Sequence, residues 1–204
     1  MSRRLGVLIS GRGSNLQSII DAIQRGELQA TIVVVISDRP EAVGLLRAKE
    51  AGLETVCLRQ RDFDSRDGYD TAVADALCER AVDLVCLAGF MRLVGAPLLD
   101  AFPHRILNIH PSLLPAFPGL EAWKQALAYG VKFTGCTVHF VDQGVDTGPI
   151  IAQQVVPVLE GDTPAVLHER IQQAERALYP ATVQALAEGR IHVHGRQTIA
   201  HAHA

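Results

Sequence analysis

The chain has 204 residues, 48% hydrophobic and 20% charged, with a formal net charge of -3 and a pI near 6.2. Its length and apolar content suffice for one sizeable core and fit one domain better than two. The slight negative charge offers no clustered basic face for nucleic acid or an anionic membrane, which leaves small molecules as the expected partners.

No apolar run approaches the roughly 18 residues needed to cross a bilayer, and Met1–Ser10 is interrupted by glycine too soon to be a signal peptide. The four cysteines, Cys57, Cys78, Cys86 and Cys136, lack a Cys-x-x-Cys pair. Three of them fall in apolar runs, so reduced core thiols and a cytoplasmic chain are expected.

Leu5–Ile9 is the first strand, and it runs into Ser10-Gly-Arg-Gly-Ser-Asn-Leu-Gln17, from which a helix over Asn15–Gln24 starts at once. Strand, glycine loop and helix start make an anion site, because free backbone N–H groups and the positive end of the helix dipole converge there. Ser14 and Gln17 have the spacing of a capping box. Leu16 stands where a dinucleotide fingerprint has its third glycine, so a single phosphate fits better than a pyrophosphate. A tight turn before a capped helix explains the same residues equally well.

Strand-like runs at Ile32–Ile36, Thr55–Leu58, Leu84–Leu87 and Ile106–Ile109 alternate with helical patterns at Glu41–Ala51 and Asp70–Arg80. This alternation predicts an α/β, Rossmann-like fold: an open, twisted, mostly parallel sheet with helices on both faces. After Gly135 the pattern changes. Cys136–Val141 and Ile150–Val156 are separated only by Asp142–Pro149, which predicts a C-terminal antiparallel hairpin. A last helix, about Pro164 to Glu188, follows Thr163 as N-cap and stops at Gly189. Residues 1–195 then form a single domain, and 196–204 a flexible tail whose histidines are solvated rather than metal-binding.

Within Ile106-Leu-Asn-Ile-His-Pro111, Asn108 and His110 lie two apart and so share one face of the strand. Pro111 has no N–H for a sheet ladder and ends the strand, placing the pair at its carboxyl end, where open α/β sheets bind ligands. Two core side chains bonded to neighbouring backbone would look the same in sequence. The hairpin loop Asp142-Gln-Gly-Val-Asp-Thr-Gly-Pro149 carries two carboxylates, and either Asp142 or Asp146 can support the imidazole as its charged form if the hairpin adjoins that strand. Asparagine, histidine and aspartate would then supply an oxyanion donor, an acid–base group and its support. No protein nucleophile is needed if the attacking atom belongs to a substrate.

Over about residues 4 to 190 the chain resembles the phosphoribosylglycinamide formyltransferase family, which uses 10-formyltetrahydrofolate. The marks are Gly11-Arg-Gly-Ser-Asn-Leu-Gln17, Phe63-Asp-Ser-Arg66, Leu87-Ala-Gly-Phe-Met-Arg92, Asn108-Ile-His-Pro-Ser-Leu-Leu-Pro115 and Val145-Asp-Thr-Gly-Pro149. In this order they are specific; Asn-x-His with Ser-Leu-Leu-Pro alone marks the wider folate formyltransferases. The resemblance implies that Asn108, His110 and Asp146 are catalytic and that Gly13, Ser14 and Asn15 hold the ribonucleotide phosphate. It implies further ribonucleotide contacts at Gln172, Gln173, Ala174 and Glu175. Folate contacts are implied at Arg66, Met91, Arg92, Leu93, Val94 and Asn108, and along Asp142, Gln143, Gly144, Val145 and Asp146. Glu121 stands where some relatives have a histidine, and Ala174 lies inside the substrate quartet.

The implied reaction moves a formyl group from 10-formyltetrahydrofolate, the co-substrate, to the amine of glycinamide ribonucleotide, with no metal. A homodimer is left open. Three alternatives are a formyltetrahydrofolate hydrolase, expected to carry a further N-terminal domain; methionyl-tRNA formyltransferase, expected to carry a further C-terminal one; and a non-catalytic nucleotide-binding module, which would leave Asn108, His110 and Asp146 without a purpose.

Overall fold

The computed structural model of the chain describes residues 2–200. A seven-stranded, mostly parallel sheet has the order β3-β2-β1-β4-β5-β6-β7, and a separate two-stranded sheet follows. The residues group into two compact units, one ending at Asn108 and one beginning at Ile109.

In the first unit, apolar runs form β1 (Arg3–Ile9), β2 (Ala30–Ser37), β3 (Thr55–Cys57) and β4 (Leu84–Leu87). Every pair is parallel: β1 with β2 and β4, β2 with β3, and β4 with the start of β5 (Ile106–His110). Strands covered on both faces need continuous apolar sequence, and Leu5, Val7, Leu8 and Ile9 are all fully buried. Helices α1 (Ser14–Gln24) and α2 (Val43–Glu50) pack together, as do α3 (Arg66–Cys78) and α4 (Ala96–Ala101).

Three local expectations are corrected here. The capping box does not form: Gly13 is the N-cap, in a left-handed conformation, and the Gln17 amide donates to Asp21 instead. Helix α3 starts four residues before the expected Asp70 because the Ser65 hydroxyl accepts from the Gly68 N–H at 3.0 Å. Cys57 is exposed rather than a core thiol, since β3 is short and lies at the sheet edge; Cys78 is exposed too, and Cys86 and Cys136 are buried.

The second unit holds α5 (Ala122–Tyr129), β6 (Phe133–Phe140), β7 (Ile150–Pro157) and α6 (Pro164–Ala187). The expected hairpin is present as β6 antiparallel to β7. Thr163 caps α6 by accepting from the Val166 N–H, and α6 packs on β6, β7 and α5. Sequence periodicity missed α4, which is only six residues long, and α5, which starts behind Glu121 at a left-handed φ of 54°.

The segment expected to be a flexible tail pairs in part. Strand β8 (Ile191–His194) is antiparallel to β9 (Gln197–Ala200), and the Thr198 hydroxyl donates to the Ile150 carbonyl at 2.7 Å. The alternation in Ile191-His-Val-His194 and Gly195, at φ 61°, are the hairpin signals that the tail reading passed over. The tail histidines His201 and His203 lie outside the described residues.

Gly13 has φ 70°, and a Cβ there would sit 2.7 Å from the Gly44 Cα. Gly13→Ala should therefore lose roughly 2 kcal/mol from left-handed strain and backbone overlap together, seen as a fall of about 4–8 °C in Tm. An unchanged Tm would show that loop and helix do not need this approach.

Candidate active site

His110 ends β5 and is 4% exposed. Its Nδ1 lies 3.3 Å from Asp146 Oδ2, and its Nε2 lies 2.9 Å from the Phe117 carbonyl oxygen. A carbonyl can only accept, so Nε2 carries a proton in this arrangement. Asp146 Oδ2 also accepts from the Gly119 N–H at 2.8 Å. Asp146 has a left-handed φ of 55°, which aspartate tolerates better than most residues. Asn108, two residues before His110 on β5, shares its strand face.

Phe117 and Gly119 belong to the loop 111–121. It is held from below by Thr137 of β6, whose hydroxyl donates to the Ser112 carbonyl at 2.7 Å and accepts from the Leu114 N–H at 3.0 Å. Gln153 of β7 donates to the Leu114 carbonyl and to the Thr137 hydroxyl. The Ser112 hydroxyl, fully buried, donates to the Ala116 carbonyl and lies 3.2 Å from that of Phe117.

The two hairpin carboxylates have separated roles. Asp142 Oδ1 accepts from the Gly144 N–H and the Thr147 hydroxyl, forming its own turn. Only Asp146 of the two faces His110, and its Oδ1 lies 3.7 Å from His139 Nε2. Gly148 is needed where the hairpin folds back, because a Cβ there would meet the Phe140 carbonyl oxygen at 1.8 Å. Burial pushes His139 below its ordinary value, opposed by its bond to the Phe140 carbonyl and by Asp146.

In the first unit, the glycine loop is clamped by α2. The Gly44 N–H donates to the Gly11 carbonyl at 3.0 Å, and Arg47 donates to the Arg12 carbonyl at 2.9 Å. Asn15 is buried and Ser14 half-buried at the helix start. The Ser10 hydroxyl accepts from the Met91 N–H at 2.8 Å, which joins this loop to the segment Met91–Val94.

Of that segment, Met91 and Leu93 are exposed and Val94 is buried. Arg66 donates to the Leu93 carbonyl at 2.9 Å, and the Gly95 N–H donates to the buried Asp70. Burial raises the Asp70 carboxyl, while the Gly95 N–H and Arg66 oppose the rise. Arg92 is committed to the buried Asp38, Nε to Oδ2 at 2.7 Å, and to Gln60. The segment thus presents backbone and apolar side chains more than a loose cation.

On α6, Gln173 is exposed, Ala174 packs on the cluster of Cys136, Leu167 and Ile171, and Glu175 is buried. The Cys136 thiol is pushed up to about 12, mainly by burial and then by the Glu175 charge. Glu121, where some relatives are expected to have histidine, pairs with Lys124. Among the described residues no group of three or more His, Cys, Asp or Glu could hold a metal ion, and no helix is long and apolar enough to cross a membrane.

Residues 3–183 match the formyl transferase family model. The chain is 51% identical to the phosphoribosylglycinamide formyltransferase of Mycobacterium tuberculosis over 95% of its own length and 89% of that protein's. It belongs to the phosphoribosylglycinamide formyltransferase family. The glycinamide ribonucleotide transformylase 1 of Symbiobacterium toebii has the same fold, with a TM-score of 0.96 at 55% identity, covering 98% of this chain and 94% of that one. The trifunctional purine biosynthetic protein adenosine-3 of Drosophila melanogaster is 48% identical over 92% of this chain, which spans only 14% of that protein's length.

In this family member, reading the sequence missed Phe117, Gly119 and His139. The first two act through backbone atoms, which residue type does not reveal. The three prolines of Pro111–Gly119 were the available signal of a rigid loop. His139 sits in an apolar strand pattern, where a histidine passes as a satisfied core residue.

The depressed His139 sets a sign for stability. The unfolded chain takes up the proton near the ordinary 6.5 and the folded one only at lower pH, so stability is lost as pH falls from 6.5 toward the folded value. Urea unfolding at pH 7.5 and about pH 5.5 should show a smaller pH difference for His139→Asn than for the wild type. Equal differences would mean that His139 charges freely in the fold.

Proposed function

We propose that the chain transfers the formyl group of 10-formyltetrahydrofolate to the amine of glycinamide ribonucleotide, giving formylglycinamide ribonucleotide and tetrahydrofolate in purine biosynthesis. The observation that carries this reading is His110: buried, with a proton on Nε2 and a carboxylate at Nδ1, it is an acid ready for an oxygen that gains charge.

The ribonucleotide phosphate goes to Gly13, Ser14 and Asn15, and the quartet Gln172, Gln173, Ala174 and Glu175 takes the rest of that substrate. Arg66, Met91 to Val94, Asn108 and the loop Asp142 to Asp146 receive the folate, the loop mainly through its backbone. The amine lone pair attacks the formyl carbon, and the carbonyl π pair moves onto oxygen. Asn108 and His110 donate hydrogen bonds to that oxygen, while Asp146 stabilises the charged imidazole. Collapse breaks the bond to the folate nitrogen, and the proton lost by the amine ends on it, carried by His110 or by a water held at Asp146. Orienting both reactants is worth roughly 7–11 kcal/mol of the barrier. The reading also includes a cytoplasmic setting, supported by four free cysteines, and allows a homodimer, which sedimentation decides.

The deciding assay offers formyltetrahydrofolate with and without glycinamide ribonucleotide. Formyl transfer that needs the ribonucleotide is expected; folate deformylation of equal rate without it would mean a hydrolase. Asp146→Asn keeps shape and turn preference but removes the charge, so turnover should fall by roughly 10²-fold or more. A turnover within about threefold of wild type returns Asp146 to a turn role. Asn15→Ala should raise the Michaelis constant for the ribonucleotide and leave that for folate in place. A rise confined to folate would show the two sites exchanged.

A further inference from the structure

Trp123 is the chain's single tryptophan. On α5 it stacks flat on His168 of α6, with ring centroids 3.6 Å apart and planes at 3°. Trp123 also packs against the core cluster of Cys136, Val156, Leu167 and Ile171, so the indole is a fixed plate. A ring held against such a plate keeps its plane, because tilting out of the stack forfeits the contact.

That orientation places His168 Nε2 3.3 Å from Gln172 Nε2. An amide nitrogen only donates, so in this contact the imidazole Nε2 accepts. The bond decides which way the Gln172 amide points: its NH₂ edge turns to the imidazole and Oε1 to the other side. His168, Gln172 and Glu175 stand at i, i+4 and i+7, on one face of α6. We infer that His168 is a positioning residue: held by Trp123, it orients the Gln172 amide so that Oε1 accepts from a hydroxyl of the ribonucleotide. This rests on the transferase reading above and adds a specificity contact to it. The folate side and the chemical step do not depend on it.

His168→Phe keeps a flat ring on Trp123 and removes the acceptor. Kinetics with both substrates should show the Michaelis constant for glycinamide ribonucleotide raised by about fivefold, the loss of one neutral hydrogen bond, with turnover and the folate constant unchanged. Trp123 fluorescence, titrated with glycinamide ribonucleotide alone, should report the same weakening. Because His168 acts through Gln172, the double variant His168→Phe with Gln172→Ala should bind no worse than Gln172→Ala alone. Trp123→Phe retains an aromatic plate and should stay near wild type, whereas Trp123→Ala should weaken ribonucleotide binding as His168→Phe does. An active wild type whose His168→Phe form binds the ribonucleotide equally well, or whose two substitutions add in full, overturns this inference alone. A wild type that transfers no formyl group overturns the transferase reading and this inference with it.

Discussion

The carboxylate of Asp146 is the tie on which the candidate site depends. One of its oxygens receives the Gly119 N–H and faces His110, and the other faces His139. A single side chain therefore joins the loop after β5, the end of β5 and strand β6 to the hairpin. The carboxylate is only slightly exposed, and a buried carboxylate without such partners would be costly. Where Asp146 sits is set by backbone geometry: its own left-handed φ, and the close approach at Gly148 that turns the hairpin back. The pairing of His110 with Asp146 is thus a product of hairpin folding rather than of β5 alone.

The loop 111–121 has a chemistry of its own. Pro111, Pro115 and Pro118 contribute carbonyls without N–H groups, so the loop has more acceptors than donors. Buried acceptors must find donors elsewhere. Ser112, Gln153 and the His110 imidazole supply them, to Ala116, Leu114 and Phe117 respectively. A stretch that reads as a rigid turn is also a surface that holds a proton on the histidine beneath it.

Much of this was legible in residue order. β-α alternation and the switch to a short-loop hairpin dictate the sheet, because covered parallel strands need continuous apolar runs and only antiparallel neighbours can be joined by a short loop. The two-residue spacing of Asn108 and His110, stopped by Pro111, placed them on one face at a strand end. What stayed hidden depends on distances across the fold. Ser14 and Gln17 have the right spacing for a box, yet the left-handed Gly13 takes the cap and Asp21 takes the Gln17 amide. Asp142 and Asp146 are alike in sequence, and only the turn closed by Gly144 and Thr147 separates them. The β8–β9 hairpin was missed because four-residue strands carry too little alternation to stand out from a solvated tail.

The resting bond between His110 and Phe117 has a further meaning under the proposed reaction. It occupies the Nε2 proton that the incoming formyl oxygen needs, so substrate must exchange one acceptor for another. The exchange swaps one carbonyl acceptor for another at the same Nε2–H, so it is nearly neutral in the ground state. The balance shifts only when the formyl oxygen gains negative charge, because a charge-assisted bond is roughly twice as strong as a neutral one. The Phe117 carbonyl holds the proton until the developing oxyanion outcompetes it.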